Sequence, residues 1–250
     1  MILIVGVRMI VHMDDWNYRP AADQALAPAE KLRSLRREAG LPAWLMQGAW
    51  RAGTRTYLRA YHRLAVQGRE HLPAQPPFVL IGNHTSHLDA VTLASALPWH
   101  LRASAFPIAA GDVFFETPAA SLFSAMMLNA LPMWRKRCGS HAMQELRDRL
   151  LGDPAIYILF PEGTRSRDGR LGTFKPGLGM LIAETHAPVV PCHLDGAFRA
   201  CPPGSTMPRP VQLTLRIGAP LKFPETPNRR EGWLAIAEQA HAAVTALAGN

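Results

Sequence analysis

The sequence reads as an α/β protein whose mostly parallel central sheet is flanked by helices. Two patterns predict this. Short apolar runs of strand length, such as 78–82 and 155–160, alternate with longer segments of helical period. Both runs end in polar, turn-forming loops, and the alternation of strand and helix demands crossovers on both faces of a sheet. A chain of 250 residues is long enough to bury one good core.

Taken in order, residues 14–26 carry turn formers without a period. Pro28 then opens a short helix, with Glu30 in its first turn and Gly40 beyond its end. A second helix is expected over 43–64. Its two faces differ: Leu45, Met46, Trp50, Tyr57, Tyr61 and Leu64 gather on one side, while Arg51, Arg55, Arg59 and Arg63 recur every four residues on the other. Such a helix suits either a solvated arginine face over a core or an interfacial position, with aromatics at headgroup depth and arginines on anionic lipid. After Gly68 come a strand at 78–82, a helix at 86–97, a strand at 104–108, a helix at 119–129 and a short strand at 130–133. A helix at 140–151, a strand at 155–160, a helix at 176–185, strands at 189–194 and 211–217 and a closing helix at 231–248 complete the pattern, with 201–210 as a surface loop. The organisation expected is a leader over 1–26, a helical membrane-surface segment over 27–66 and the main domain over 67–250.

The apolar run at 1–7 is cut by Arg8, far short of the roughly 20 residues that cross a bilayer, and no small-residue cleavage site follows. Met13 offers an alternative start, which would leave 1–12 outside the protein. Cys138, Cys192 and Cys201 lack C-x-x-C spacing, so neither a disulfide framework nor a zinc site is expected. The net charge of +8 attracts nucleic acid, an anionic lipid surface or an acidic small substrate. No nucleic-acid module is recognisable, and the arginines fall on one amphipathic helix and on loops, so nucleic acid is not an expected partner.

Chemistry concentrates where strands end. Asn83-His84-Thr85-Ser86-His87-Leu88-Asp89 lies between the strand at 78–82 and the next helix, which puts His84 on the loop and Asp89 in the first helical turn. A carboxylate there can fix the imidazole tautomer and leave the other nitrogen to take a proton from a hydroxyl. The plainer alternative is a helix start, with Ser86 as cap and Asp89 favouring the helix dipole. Phe160-Pro161-Glu162-Gly163-Thr164-Arg165-Ser166 occupies a second strand end, where Gly163 permits close backbone approach and Arg165 offers a planar fork for phosphate or carboxylate. Neither Ser86 nor Ser166 sits in a G-x-S-x-G elbow, so no serine nucleophile is expected. His193, on a buried strand, reads as a satisfied core histidine.

These blocks together resemble the PlsC-like glycerolphosphate acyltransferase family. The H-x4-D block runs from Asn83 to Asp89, the second block resembles Leu131-Pro132-Met133-Trp134-Arg135, the third is Phe160 to Ser166 with Phe174-Lys175-Pro176-Gly177, and the fourth resembles Val189 to Leu194. The match covers roughly residues 66–222. The resemblance implies that His84 deprotonates the hydroxyl of a lysophospholipid, that Asp89 orients it, and that an acyl thioester, acyl-CoA or acyl-carrier protein, is attacked directly. By the same resemblance Glu162 positions the acceptor, backbone amides near Gly163 hold the oxyanion, and Arg135, Arg165 and Lys175 bind phosphate. No metal or organic cofactor is implied. Block two departs from the family pattern at Asn129, Ala130 and Trp134, so Lys136 and Arg137 are alternative phosphate contacts. The family context favours the interfacial reading of the helix at 43–64, with Leu45, Trp50, Arg51, Arg55 and Arg59 on the cytoplasmic face of an anionic membrane.

Overall fold

The computed structural model describes residues 21, 23–38, 40–134 and 140–249. Most of the expected leader, including Met13, lies outside them, as do Cys138 and the cations Arg135, Lys136 and Arg137. The sheet is built on β2 (Phe78–Gly82), whose five residues are all buried. A continuous apolar run is what a strand covered on both faces requires. Parallel to it lie β5 (Ile156–Leu159) on one side and β6 (Thr185–Asp195) on the other, with Phe78 opposite Ile156 and Val79 opposite Val189. Beyond β5 the sheet continues in parallel through β3 (Ala105–Ala110) to β4 (Leu131–Met133). Beyond β6 it reverses: β7 (Thr214–Ile217) is antiparallel to β6 and carries β1 (Ala65–Gln67) at the far edge, while β8 (Leu221–Phe223) pairs with the start of β6.

Alternation along β2 divides the core in two. Phe78 and Leu80 face a cluster with Leu58, Leu93, Leu97 and Ile158, whereas Val79 and Ile81 face one with Tyr157, Leu181, Ile236 and Val244. Each such side chain is worth roughly 1.5–3 kcal/mol when fully buried. Helix α3 (Leu88–Ala96) covers the first face. On the second, α6 (Ser140–Gly152), α7 (Gly177–Ile182) and α9 (Arg230–Ala248) pack together. A Cβ at Gly179 would collide with the Trp233 backbone, so the close approach of α7 and α9 depends on that glycine.

Of the amino-terminal helices, α2 (Leu41–Ala60) contributes the fully buried Leu58 to this core, while α1 (Pro28–Arg33) has no buried residue and lays Leu32 on a small separate cluster of Phe115, Ala125 and Ala130. A buried polar knot pins them. Asn129, at φ 53°, accepts hydrogen bonds from Arg37 Nη2 (3.2 Å) and Gln47 Nε2 (3.3 Å) and donates to Ala105 O (3.1 Å). Burial, aided by nearby Arg149, pushes the Arg37 guanidinium down to about 10. Asn129 is thus the hub that seats α2 against β3, which gives one departure from the family pattern a structural purpose.

Several boundaries differ from expectation. Helix α1 ends at Arg33, and α2 starts at Leu41 and ends at Ala60. Helix α7 stops at Ile182; Glu184, at φ 55°, turns the chain so that β6 begins at Thr185, opposite β8. The burial of α2 also runs between its two expected faces, through Ala43, Gln47, Leu58 and half-buried Trp50, Arg51 and Thr54. Leu41, Trp44 and Leu45 remain more than half exposed, at 70%, 52% and 56%. Short helices α4 (Gly111–Phe114), α5 (Pro118–Met126) and α8 (Ala197–Ala200) complete the described elements. No described helix is long and apolar enough to cross a membrane.

Candidate active site

His84 leaves the carboxyl end of β2, and Asp89 lies in the first turn of α3. Their side chains meet: His84 Nδ1 is 2.9 Å from Asp89 Oδ2. The carboxylate accepts a hydrogen bond from Nδ1–H, which leaves the Nε2 lone pair to act as a base. Asp89 is fully buried, and the same oxygen accepts from the Thr85 and Ser86 amides at 2.7 and 2.8 Å. Three donors on that one oxygen offset part of the cost of its removal from water, while Oδ1 is buried without a partner among the described residues. The His84 ring stacks on Phe160 at 4.2 Å and 15°, which fixes its plane, and stays 24% exposed.

The second loop is tied to the first. Glu162 Oε1 accepts from the His84 amide (2.7 Å) and Oε2 from the Gly172 amide (2.9 Å), while the Ser166 amide donates to His84 O (2.7 Å). Burial raises the Glu162 carboxyl above its ordinary range, against the lowering effect of those two amides. The resemblance gives Glu162 the positioning of the acceptor; in this structure its two oxygens hold the two loops in register. Gly163, at φ 74°, closes the turn, but its amide donates to Phe160 O (2.9 Å) and is already used. The neighbouring Thr164 and Arg165 amides make no hydrogen bond among the described residues, and both residues line the same cavity. A Cβ at Gly163 would come within 2.8 Å of Lys175 Nζ, so Lys175 lies over this turn.

His84, His87, Arg165 and Lys175 line one side of a cavity of about 1660 Å³. The rest is largely apolar, with Trp50, Tyr57 and Met127 toward α2 and α5, and Met143, Leu146, Tyr157 and Met180 beneath α6 and α7. Arg165 Nη1 is buried without a partner, a cation in want of an anion. Burial lowers the His87 pKa, with Arg165 and His84 adding to the effect and Asp89 opposing it. Arg135 lies outside the described residues. Ser86 Oγ donates to Cys201 O (2.8 Å) and accepts from the Leu88 amide (3.2 Å), and Ser166 Oγ donates to Asp168, so both are structural. His193, expected to be satisfied, has a buried Nδ1 without a partner. Cys192 is buried, which pushes its thiol up to about 12. The sequence places Thr164 in the third block and Tyr57 on the apolar face of the helix at 43–64, but no local pattern reveals that the two line one cavity, because they belong to segments distant in sequence.

The Acyltransferase family model matches residues 63–195, more than half the chain, from β1 through the fourth strand-end block. The chain belongs to the acyltransferase family. It is 34% identical over 149 residues to the chloroplastic 1-acyl-sn-glycerol-3-phosphate acyltransferase BAT2 of Brassica napus, covering 58% of this chain and 41% of that protein. It is 31% identical over 131 residues to the 1-acyl-sn-glycerol-3-phosphate acyltransferase alpha of Ovis aries, covering 52% and 44% respectively. The chain thus spans less than half the length of these relatives. The crystal structure of the 1-acyl-sn-glycerophosphate acyltransferase PlsC from Thermotoga maritima superposes with a TM-score of 0.64 at 23% identity, over 82% of this chain and 79% of that one, and shares its fold.

Proposed function

We propose that this acyltransferase moves a fatty acyl group from a thioester to the free hydroxyl of a lysophospholipid, converting 1-acyl-sn-glycerol-3-phosphate to phosphatidic acid. The observation that carries the reading is the oriented His84–Asp89 pair at the wall of a large apolar cavity beside an unpartnered arginine. The relatives from Brassica napus and Ovis aries are 1-acyl-sn-glycerol-3-phosphate acyltransferases, which supports the same acceptor.

In this reading His84 Nε2 takes the hydroxyl proton as the oxygen attacks the thioester carbonyl carbon. Asp89 stabilises the imidazolium that forms. The tetrahedral oxyanion is met by the Thr164 and Arg165 amides, each such donor being worth about 2.7–4 kcal/mol of barrier. Collapse breaks the carbon–sulfur bond, and the imidazolium returns its proton to the leaving thiolate. Arg165 and Lys175 hold the acceptor phosphate, together with Arg135. The donor is acyl-CoA or acyl-carrier protein. The exposed Leu41, Trp44 and Leu45 of α2, beside Arg51, Arg55 and Arg59, rest the enzyme on the cytoplasmic face of an anionic membrane.

Purified protein offered a panel of radiolabelled lysolipids with each donor is expected to label phosphatidic acid, and His84→Ala to lower kcat by roughly 10²–10⁴. Transfer by His84→Ala at the wild-type rate overturns the mechanism, and a product other than phosphatidic acid overturns the acceptor.

A further inference from the structure

Five arginines converge on the carboxyl end of α3. Arg51, Arg55 and Arg59 come from successive turns of α2, Arg69 from the 3-10 turn Arg69–His71, and Arg102 from the 3-10 turn Trp99–Ser104. Part of this has a structural purpose. Arg69 Nη1 donates to Ala96 O (3.1 Å), and the buried Arg102 donates to Leu97 O (2.8 Å) and Ser95 O (3.1 Å), so the two satisfy the last carbonyls of the helix. Arg51 donates to Gln47.

Arg55 and Arg59 do nothing comparable. Among the described residues neither makes a hydrogen bond or ion pair, and no described carboxylate lies within ion-pair distance of any of the five arginines. Instead Arg55, Arg59 and Arg69 line a pocket of about 210 Å³ with Ser95, Leu64 and Val66. The mutual repulsion is felt: burial and then Arg55, Arg69, Arg51 and Arg59 push the Arg102 guanidinium down to about 10. Gathering cations without a counter-charge costs folding stability, and the cost is recovered only when an anion enters. Guanidinium groups approaching from two elements suit a tetrahedral group with several charged oxygens, and the pocket is far too small for an acyl chain.

We propose that Arg55, Arg59 and Arg69 form a second anion site, which takes the phosphate of a phosphomonoester at the carboxyl end of α3. The site is separate from the reacting groups at the amino end of that helix, roughly 12 Å of helical rise away. It uses neither His84 nor the large cavity, so it stands or falls apart from the acyl-transfer chemistry. It shares Arg55 and Arg59 with the proposed membrane face, which the vesicle measurement below tests separately from the response to inorganic phosphate. The phosphate comes on a lipid headgroup or on a soluble ester, and the two sources are separable.

The test compares the full chain with the double variant Arg55→Gln/Arg59→Gln by thermal unfolding in sodium phosphate and in sodium chloride of equal ionic strength. In chloride the double variant is expected to melt at the wild-type temperature or above it, because repulsion is relieved. Replacing chloride by phosphate should raise the wild-type Tm by several degrees more than the variant's. An equal rise in both proteins overturns the proposal, as does a variant that melts below wild type in chloride, which makes the arginines structural. Flotation with phosphatidylcholine vesicles carrying phosphatidic acid, or phosphatidylglycerol at matched charge, then assigns the source. A several-fold loss of retention by the variant on phosphatidic acid alone supports a headgroup. Unchanged retention beside a lost response to inorganic phosphate supports a soluble ester.

Discussion

The two ends of α3 handle charge in opposite ways. At the amino end a carboxylate is fully buried and three donors converge on one of its oxygens: the Thr85 and Ser86 amides and His84 Nδ1 all reach Asp89 Oδ2. At the carboxyl end cations gather around the last carbonyls, and two of them, Arg55 and Arg59, have no partner among the described residues. Both choices follow the helix dipole, which favours an anion at its start and cations at its end. The contrast teaches what each end is built for. A charge gripped by three donors holds one geometry, which general-base chemistry needs, whereas cations left without a counter-charge keep free energy available to a ligand.

The comparison breaks most visibly at Asp89. Asp89→Asn keeps the size of the side chain, but the amide cannot hold the Nδ1 proton as a carboxylate does, so the imidazole is left in the wrong tautomer. A kcat loss of roughly 10³–10⁴ is expected, with little change in KM. A loss below tenfold would mean that His84 needs no orienting carboxylate. Glu162→Gln is the next step down. Gln offers one oxygen where two amides now each have one, leaving the His84 or the Gly172 amide facing an NH2 group. The unfolding free energy should fall by about 1–3 kcal/mol, and kcat should fall because the His84 loop loosens. A variant with lower kcat and unchanged stability would instead place Glu162 in contact with the substrate.

The parts of this design differ in how far the sequence reveals them. The run Phe78–Gly82 announced a doubly covered strand, and the H-x4-D spacing announced a contact that the fold makes at 2.9 Å, because both are local. Strands β1 and β8 are three residues each and exist only through their pairing with β7 and β6, so no periodicity betrays them. For Glu162 the sequence offered only the acceptor-positioning role that the resemblance implies. Its hydrogen bonds to the amides of His84 and Gly172, one of them 78 residues away, were not legible. Arginines spaced by four along α2 were legible as a stripe, but their convergence with Arg69 and Arg102 depends on how α2 crosses α3.

Helix α2 links the two ends, and a smaller effect is expected there. Leu45 is 56% exposed, whereas Trp50 is half-buried and meets Phe123 edge-on at 5.4 Å. Leu45→Glu should therefore weaken retention on anionic vesicles several-fold and leave Tm unchanged, while Trp50→Glu should weaken retention and also lower Tm. Full retention of Leu45→Glu in flotation would remove α2 from the membrane surface.

The smallest expected effect sharpens the comparison by pH. His87 stands at the amino end of α3 yet has a cation, Arg165, for a neighbour, and burial with that neighbour holds its pKa below the ordinary histidine value of about 6.5. Its folded pKa is depressed, so the neutral form is the one the fold favours. That contribution is fully present above the unfolded pKa and is lost as pH falls through the folded one. Wild type should lose stability on acidification below about pH 6.5 more steeply than His87→Gln, which carries no titrating group. The measurement is the difference in Tm between the two proteins across this range. A difference that stays flat with pH would show that protonating His87 costs the fold nothing, and that the field of Arg165 is already screened by solvent in the open cavity.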